Sequence, residues 1–300
     1  MGDTNATRTP RRTIAWRLVK GTAVAGFRHR VTGLAAEAAF FALLSLPPLV
    51  IGLISTMGHL RGALAGETVA DIRAWLIRQA HKILAGPAVD DVVTPLIDEV
   101  IRGGGVDLIS VSFLLSLWAG SRATNVYVDT ITIAYGLSGL RGVIRTRLRA
   151  FTLYLIGLAV AVVVIPLLVA GPALVRQALP VGEAFVRLLY WPVVVTLSIM
   201  FLATLYHMSV PVRTSWLRTV PGAVLALAIW ILGSVALRVY LAGSLSGVSV
   251  HGSLGAPIAV MAWLYVTALA VLIGAMLNAE IDRMWPSAAT AAARAARSDG

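Results

Sequence analysis

Residues 254–278 read LGAPIAVMAWLYVTALAVLIGAMLN and contain no Asp, Glu, Lys or Arg. A helix of about 20 mostly apolar residues crosses the hydrocarbon core of a bilayer, so this stretch predicts a transmembrane helix. Five other blocks have a similar length and composition. The six predicted spans are Leu34–Met57, Val106–Asp129, Ala150–Ala170, Leu188–Met208, Pro221–Ala242 and Leu254–Asn278. The sequence therefore predicts an all-α integral membrane protein, a bundle of six transmembrane helices.

The composition also favours a membrane protein. Hydrophobic residues make up 58% of the 300 residues and charged residues 13%, whereas about a quarter of residues are charged in soluble domains. The net charge of +11 raises the question of a nucleic-acid partner. The basic residues, however, lie mainly in short segments between apolar blocks. We therefore predict membrane lipids, chiefly anionic ones, as partners, and no nucleic acid; a homo-oligomer is left open.

The distribution of basic residues predicts the orientation. The segments before Gly33, from 137 to 149, from 210 to 220 and after Asn278 carry sixteen Lys and Arg, and the opposite connections carry seven. The basic side faces the cytoplasm, so both termini are predicted to be cytoplasmic. We divide the chain into a basic N-terminal segment (1–33), a transmembrane domain (34–280) and a cytoplasmic tail (281–300) that is predicted to be disordered.

The connection 59–105 is the longest loop between predicted spans. Its parts 67–84 and 90–102 repeat apolar residues at helical spacing. We predict two short amphipathic helices in this first extracytoplasmic loop, which either lie on the membrane surface or cap the bundle.

Polar residues lie within the predicted spans or at their inner ends, where an ionisable group costs about 2.5–3.5 kcal/mol at mid-membrane. The candidates are Glu37, Arg122, Asn125, Asp129, Asn278 and Glu280. A rise of about 1.5 Å per residue puts Arg122 at nearly the depth of Glu37, which predicts that the two pair. Two interpretations stay open. The polar groups either hold helices together or line a vestibule that receives a charged headgroup.

Other residues indicate kinks and close packing. Pro47, Pro48 and Pro166 fall inside predicted spans and indicate a kink or a hinge. Ala270 and Gly274 repeat at four-residue spacing and predict a close helix contact.

The sequence has no pattern of catalytic or metal-binding residues. It contains no cysteine, and its five histidines are scattered without a His-x-x-x-His pair. No nucleophile elbow and no phosphate-binding glycine loop is present. We therefore predict no catalytic residues, no metal, no cofactor and no enzymatic activity.

Three segments are similar to a known family. They are LWAGSR at 117–122, HGSLGA at 251–256 and GAMLNAE at 274–280. On these residues the chain resembles the YihY/BrkB family of bacterial inner-membrane proteins, once named ribonuclease BN, and most closely its YhjD branch. The resemblance implies six spans, a multi-pass inner-membrane location and the handling of a lipid. Met276 and Thr132 stand where the family commonly has Glu and Asn, so roles of those groups are not carried over.

The leading functional hypothesis is a transporter or flippase-like protein that moves or binds an anionic lipid or a lipid-linked envelope precursor. The alternatives are a structural or scaffolding membrane protein without transport and, more distantly, a membrane-associated ribonuclease. Because no nucleotide-binding motif is present, transport would be passive, ion-coupled or dependent on a partner.

Overall fold

The computed structural model describes residues 11–59, 106–178, 183–245 and 255–298, together with positions 73–74, 77–78, 94–95 and 98. No strand occurs among these residues. The long helices are α1 (Arg11–Arg28), α2 (Val31–His59), α3 (Val106–Ala134), α4 (Val143–Ala178), α5 (Glu183–Ser209), α6 (Val220–Leu245), α7 (Gly255–Met284) and α8 (Ala288–Ser298). A short 3-10 helix, Trp216–Thr219, precedes α6.

Each of the six predicted spans overlaps one of the helices α2 to α7, although α4 begins seven residues before its predicted span and ends eight residues after it. Within the described ranges, three helical segments are long and apolar enough to cross a membrane: Trp191–Ser209, Trp216–Tyr240 and Ile258–Met284. Val31–Leu46 of α2 is apolar but shorter. The fold is therefore helical with membrane-spanning segments, and the count of six stays a prediction.

The apolar side chains of these helices point outward to an extent that soluble proteins do not show. Leu232 and Val239 of α6 are 70% and 67% exposed, and Trp191 of α5 is 65% exposed. Large contiguous apolar surfaces of this kind are unstable in water and stable against lipid. The exposure pattern is typical of helices that contact a bilayer.

The chain forms two compact units. Unit 1 comprises residues 1–35, 125–231 and 268–300, and unit 2 comprises residues 36–124 and 232–267. In unit 1, Val128 of α3 packs with Ala150 and Leu153 of α4, and Leu205 and Met208 of α5 cover them. These contacts hold the start of α4 against the end of α5.

Also in unit 1, α6 and α7 approach closely at two glycines. A Cβ atom on Gly222 would overlap the Gly274 carbonyl oxygen, and a Cβ atom on Gly274 would overlap the Tyr206 hydroxyl. That hydroxyl donates to the carbonyl of Val271 at 2.7 Å. Ala270 is also buried. The close approach therefore requires a glycine at 274, which gives a structural reason for the small-residue spacing.

In unit 2, a buried hydrogen bond joins α2 to α3. The Ser116 hydroxyl donates to the Ser45 carbonyl at 3.0 Å, and Ala39 and Ala119 are buried nearby in sequence. This places Glu37 and Arg122 on two helices that are in contact.

The three predicted hinge prolines lie within helices. Pro47 and Pro48 fall in α2, which runs on to His59, and Pro166 falls in α4. The side chains at these positions lie outside the described residues, so a hinge at either place stays a prediction.

The predicted extracytoplasmic loop 59–105 lies almost entirely outside the described residues. Its described positions are helical, and Arg73 donates two hydrogen bonds to the Asp98 carboxylate, at 2.5 and 2.8 Å. One bidentate ion pair thus joins the two segments of the loop that were predicted to be helical.

The structure corrects the predicted disorder of the tail 281–300. Helix α7 continues to Met284, and α8 occupies Ala288–Ser298. The Ser287 hydroxyl accepts the Thr290 N–H at 3.2 Å, which is an N-cap for α8. Alanine is the strongest helix former, so an Ala-rich segment with a cap and a docking contact forms a helix.

Candidate functional site

The predicted pairing of Glu37 with Arg122 is confirmed. The Arg122 Nη2 atom lies 3.4 Å from Glu37 Oε1, which is longer than the roughly 2.7–2.9 Å of a tight ion pair. The guanidinium also lies over the Phe41 ring, 5.4 Å from its centroid, and the Trp118 ring meets Phe41 edge-on. The Phe41 ring, with Trp118 packed against it, therefore positions the Arg122 guanidinium, whereas the bond from Arg122 to Glu37 is long.

Exposure separates this pair from a buried structural contact. The side chains of Arg122 and Glu37 are 42% and 37% exposed. A guanidinium has five N–H donors, so one long bond to Glu37 leaves most of its capacity for other acceptors. The pair has an accessible charged surface on two apolar helices.

Asn125 and Asp129 form a contact within one helix of unit 1. The Asn125 Nδ2 atom donates to Asp129 Oδ2 at 2.6 Å, across one turn of α3. Both side chains are half-buried. The Asn125 amide therefore orients the Asp129 carboxylate and, as a hydrogen-bond donor, partly compensates its negative charge.

Asn278 connects two helices in unit 1. Its side chain is 1% exposed; its Oδ1 accepts the Gly222 N–H at 2.8 Å, and its Nδ2 donates to the Thr219 carbonyl at 2.9 Å. The first N–H groups of a helix have no partner within the helix, and Asn278 supplies one at the start of α6.

Glu280 has different neighbours. Its side chain is 8% exposed, it pairs with Arg283 at 2.9 Å, and its carboxylate lies against Gly21 of α1. Buried side chains with such partners are not open to a ligand. The structure therefore corrects the vestibule prediction for Asn278 and Glu280, which serve helix packing.

The six predicted site residues thus divide into separate contacts. Glu37 and Arg122 belong to unit 2, and the other four belong to unit 1, where they form three different sets of contacts. The exposed pair Glu37–Arg122 is the candidate for ligand contact.

Sequence reasoning missed the most connected carboxylate of unit 1, Asp282. Its side chain is 6% exposed, and Arg294 of α8 contacts it at 2.6 Å while Arg218 lies 3.5 Å away. Thr290 donates to it at 3.0 Å, and the Arg294 Nε atom also donates to the Tyr135 carbonyl at 3.0 Å. These bonds dock α8 onto the ends of α3 and α7. Asp282 follows Asn278 by four residues, which was the signal in the sequence that both lie on one helix face.

A narrow crevice lies beside Asp282. Its volume is about 10 Å³, and its walls include Tyr135, Thr214 and Arg218. That volume is close to the minimum for one water molecule, and the polar walls offer the partners that a buried water needs. The crevice is too small for a lipid headgroup.

The comparisons with known proteins agree with the resemblance. The model of the family described as virulence factor BrkB matches residues 26–299. A Bacillus subtilis (strain 168) protein that carries the provisional name ribonuclease-like protein YfkH is 28% identical over 262 residues, which cover 85% of this chain and 91% of that protein. No solved structure matches the chain. Placement in the YhjD branch stays a prediction, but the match over nearly the whole length shows that the chain belongs to the virulence factor BrkB family.

Proposed function

We propose that this protein binds an anionic lipid or lipid-linked envelope precursor in the bacterial inner membrane and moves it between leaflets. In this proposal the protein is not an enzyme, both termini are cytoplasmic, and six helices cross the bilayer. The observation that carries the proposal is the exposed ion pair Glu37–Arg122, a loose contact of 3.4 Å on apolar helices.

The exposure of the pair favours a ligand-binding role over a purely structural one. An ion pair that served only to hold helices together is expected to be short and buried, whereas this one is 3.4 Å long and more than a third of each side chain is exposed. A charged pair beside lipid-facing helices is costly to keep unless it has a function. Arg122 can donate hydrogen bonds to the phosphate of an approaching lipid as its long bond to Glu37 breaks.

A transport assay with the purified full-length chain tests this proposal. The protein is reconstituted in vesicles that contain a fluorescent anionic phospholipid, and a membrane-impermeant quencher reports transfer between leaflets. We expect Arg122→Ala to slow transfer at least about tenfold, the equivalent of one charge-assisted hydrogen bond, with little change in thermal unfolding. Arg238→Ala removes another exposed arginine, on α6, and serves as the matched control.

Three results would overturn the proposal, two of them obtained with Arg122→Ala. One is transfer by Arg122→Ala at the wild-type rate. The other is unfolding of Arg122→Ala at much lower temperature, which would make the pair a structural contact. No transfer by the well-folded wild-type protein would instead favour the scaffolding alternative.

A second candidate function rests on the name of the relative YfkH, which calls that protein ribonuclease-like. We expect the purified chain not to cleave RNA. Cleavage that persists through purification and disappears with a single acidic substitution, such as Glu37→Gln, would establish the ribonuclease alternative.

A further inference from the structure

A second feature of unit 1 is a groove where the start of α4 meets the end of α5. Its volume is about 580 Å³, within the usual range for sites that bind small molecules. Leu153 and Met208 give it apolar surface; Leu153 belongs to the buried cluster that joins α4 to α5, and Met208 packs against that cluster. The groove is therefore built on packed helices.

Three arginines line one side of the groove at four-residue intervals, Arg141, Arg145 and Arg149. This spacing puts Arg145 and Arg149 on one face of α4, and Arg141 lies two residues before that helix. Among the described residues that line the groove, none is acidic. Three positive charges thus share one concave surface.

Two of these arginines are fixed by neutral partners. Arg141 donates to the carbonyls of Ser209 and Val210 at 3.1 and 2.7 Å, and Arg149 donates to the Met208 carbonyl at 3.0 Å. Carbonyl groups orient a guanidinium without cancelling its charge. Burial lowers the pKa of Arg141, and the charge of Arg149 lowers it further, so this part of the groove favours an added anion.

The third arginine, Arg145, has an exposed side chain, and apolar surface adjoins it. Leu148 on the groove wall is 63% exposed, and Val143 and Ile144 at the start of α4 are 86% and 84% exposed. Basic residues beside exposed aliphatic ones are the pattern of a membrane interface, where the headgroup meets the charge and the acyl chain meets the apolar side.

We propose that this groove binds the phosphate headgroup of an anionic phospholipid, with Arg145 as the main contact and the lipid chains against Leu148. The exposed aliphatic rim favours a lipid over a free phosphate or an RNA, which share the same anionic chemistry. This site goes beyond the proposed function, because a lipid that is bound here need not be transported.

Lipid binding by the full-length protein tests the site. Short-chain phosphatidylglycerol and phosphatidylcholine are added to the protein in neutral detergent, and retained lipid is counted by native mass spectrometry. We expect phosphatidylglycerol to be preferred, and Arg145→Gln to weaken its binding by about tenfold, because one charge-assisted bond is lost. Arg147→Gln is the matched control, since Arg147 belongs to the same helix but does not line the groove.

A second variant guards against misfolding of the first. Leu148→Glu puts a carboxylate on the rim, and we expect it also to abolish the preference for phosphatidylglycerol. Equal binding of both lipids, an equal loss with Arg147→Gln, or full competition by inorganic phosphate would overturn the site. Tighter binding of a short RNA that depends on Arg145 would overturn the lipid site and show that the groove binds nucleic acid. Lipid binding without transfer between leaflets would refute the proposed function and leave this site standing.

Discussion

Replacing Asn278 by alanine is the sharpest test of how α6 and α7 are held together. The substitution leaves the buried Gly222 N–H without its partner and removes one bond to the Thr219 carbonyl, which, directly before α6, also accepts the first N–H bond of that helix. An unpaired buried group costs about 1–3 kcal/mol and a lost hydrogen bond about 0.5–1.5 kcal/mol, so we expect the free energy of unfolding to fall by about 1.5–4.5 kcal/mol. Asn278→Asp keeps the acceptor for Gly222 but sets an oxygen against the Thr219 carbonyl, so it should recover only part of that loss.

Equilibrium unfolding in mixed micelles, followed by tryptophan fluorescence, measures the change. Thr196→Ala is the control, because that exposed hydroxyl only donates to a carbonyl of its own helix, and we expect it to change stability by less than about 0.5 kcal/mol. Hydrogen exchange at the Gly222 amide adds a local measurement, which should accelerate in Asn278→Ala. If Asn278→Ala is no less stable than Thr196→Ala, the capping argument is wrong.

Two further predictions concern the chain ends. A reporter fused after Ser287 should be active in the cytoplasm, and a reporter inserted near Gly86 should be active outside it. A fusion at Gly300 retains α8 and serves as the control. A periplasmic signal from the fusion after Ser287 would reverse the predicted orientation. Arg294→Ala should expose α8 to proteolysis and lower the free energy of unfolding by about 1–3 kcal/mol. The loss is smaller than for a buried carboxylate left without any partner, because Arg218 stays near Asp282. Unchanged protease resistance would count against the docking contact.

The relative height of two residues on neighbouring helices could be predicted from the sequence, but the direction in which each side chain leaves its helix could not. Counting 1.5 Å per residue brought Glu37 and Arg122 to one level, and the structure shows them 3.4 Å apart. The same count put Asn278 and Glu280 at that level as well. These two residues are two positions apart, so their side chains are rotated by about 200° and meet different helices. The predicted vestibule failed for them because a shared depth does not imply a shared direction.

The tail shows a different failure, since its signals were present in the sequence. Alanine favours helix, and Ser287 is a good N-cap residue. What the sequence could not supply was the whole docking surface, because Tyr135 is 159 residues from Arg294 along the chain. A short helix is marginal alone and becomes stable through such tertiary contacts.

The degree to which each charge is compensated separates the structural groups of this protein from those that we propose to bind a ligand. Asp282 is buried and receives bonds from Arg294 and Thr290, so little of its charge is available to a ligand. The pair Glu37–Arg122 is long and exposed, which leaves charge available on both members. The groove arginines are oriented by neutral carbonyls, and no described acidic residue lines the groove. In a membrane, where an uncompensated charge is most costly, binding of a complementary lipid headgroup gives a physical reason for retaining such charges.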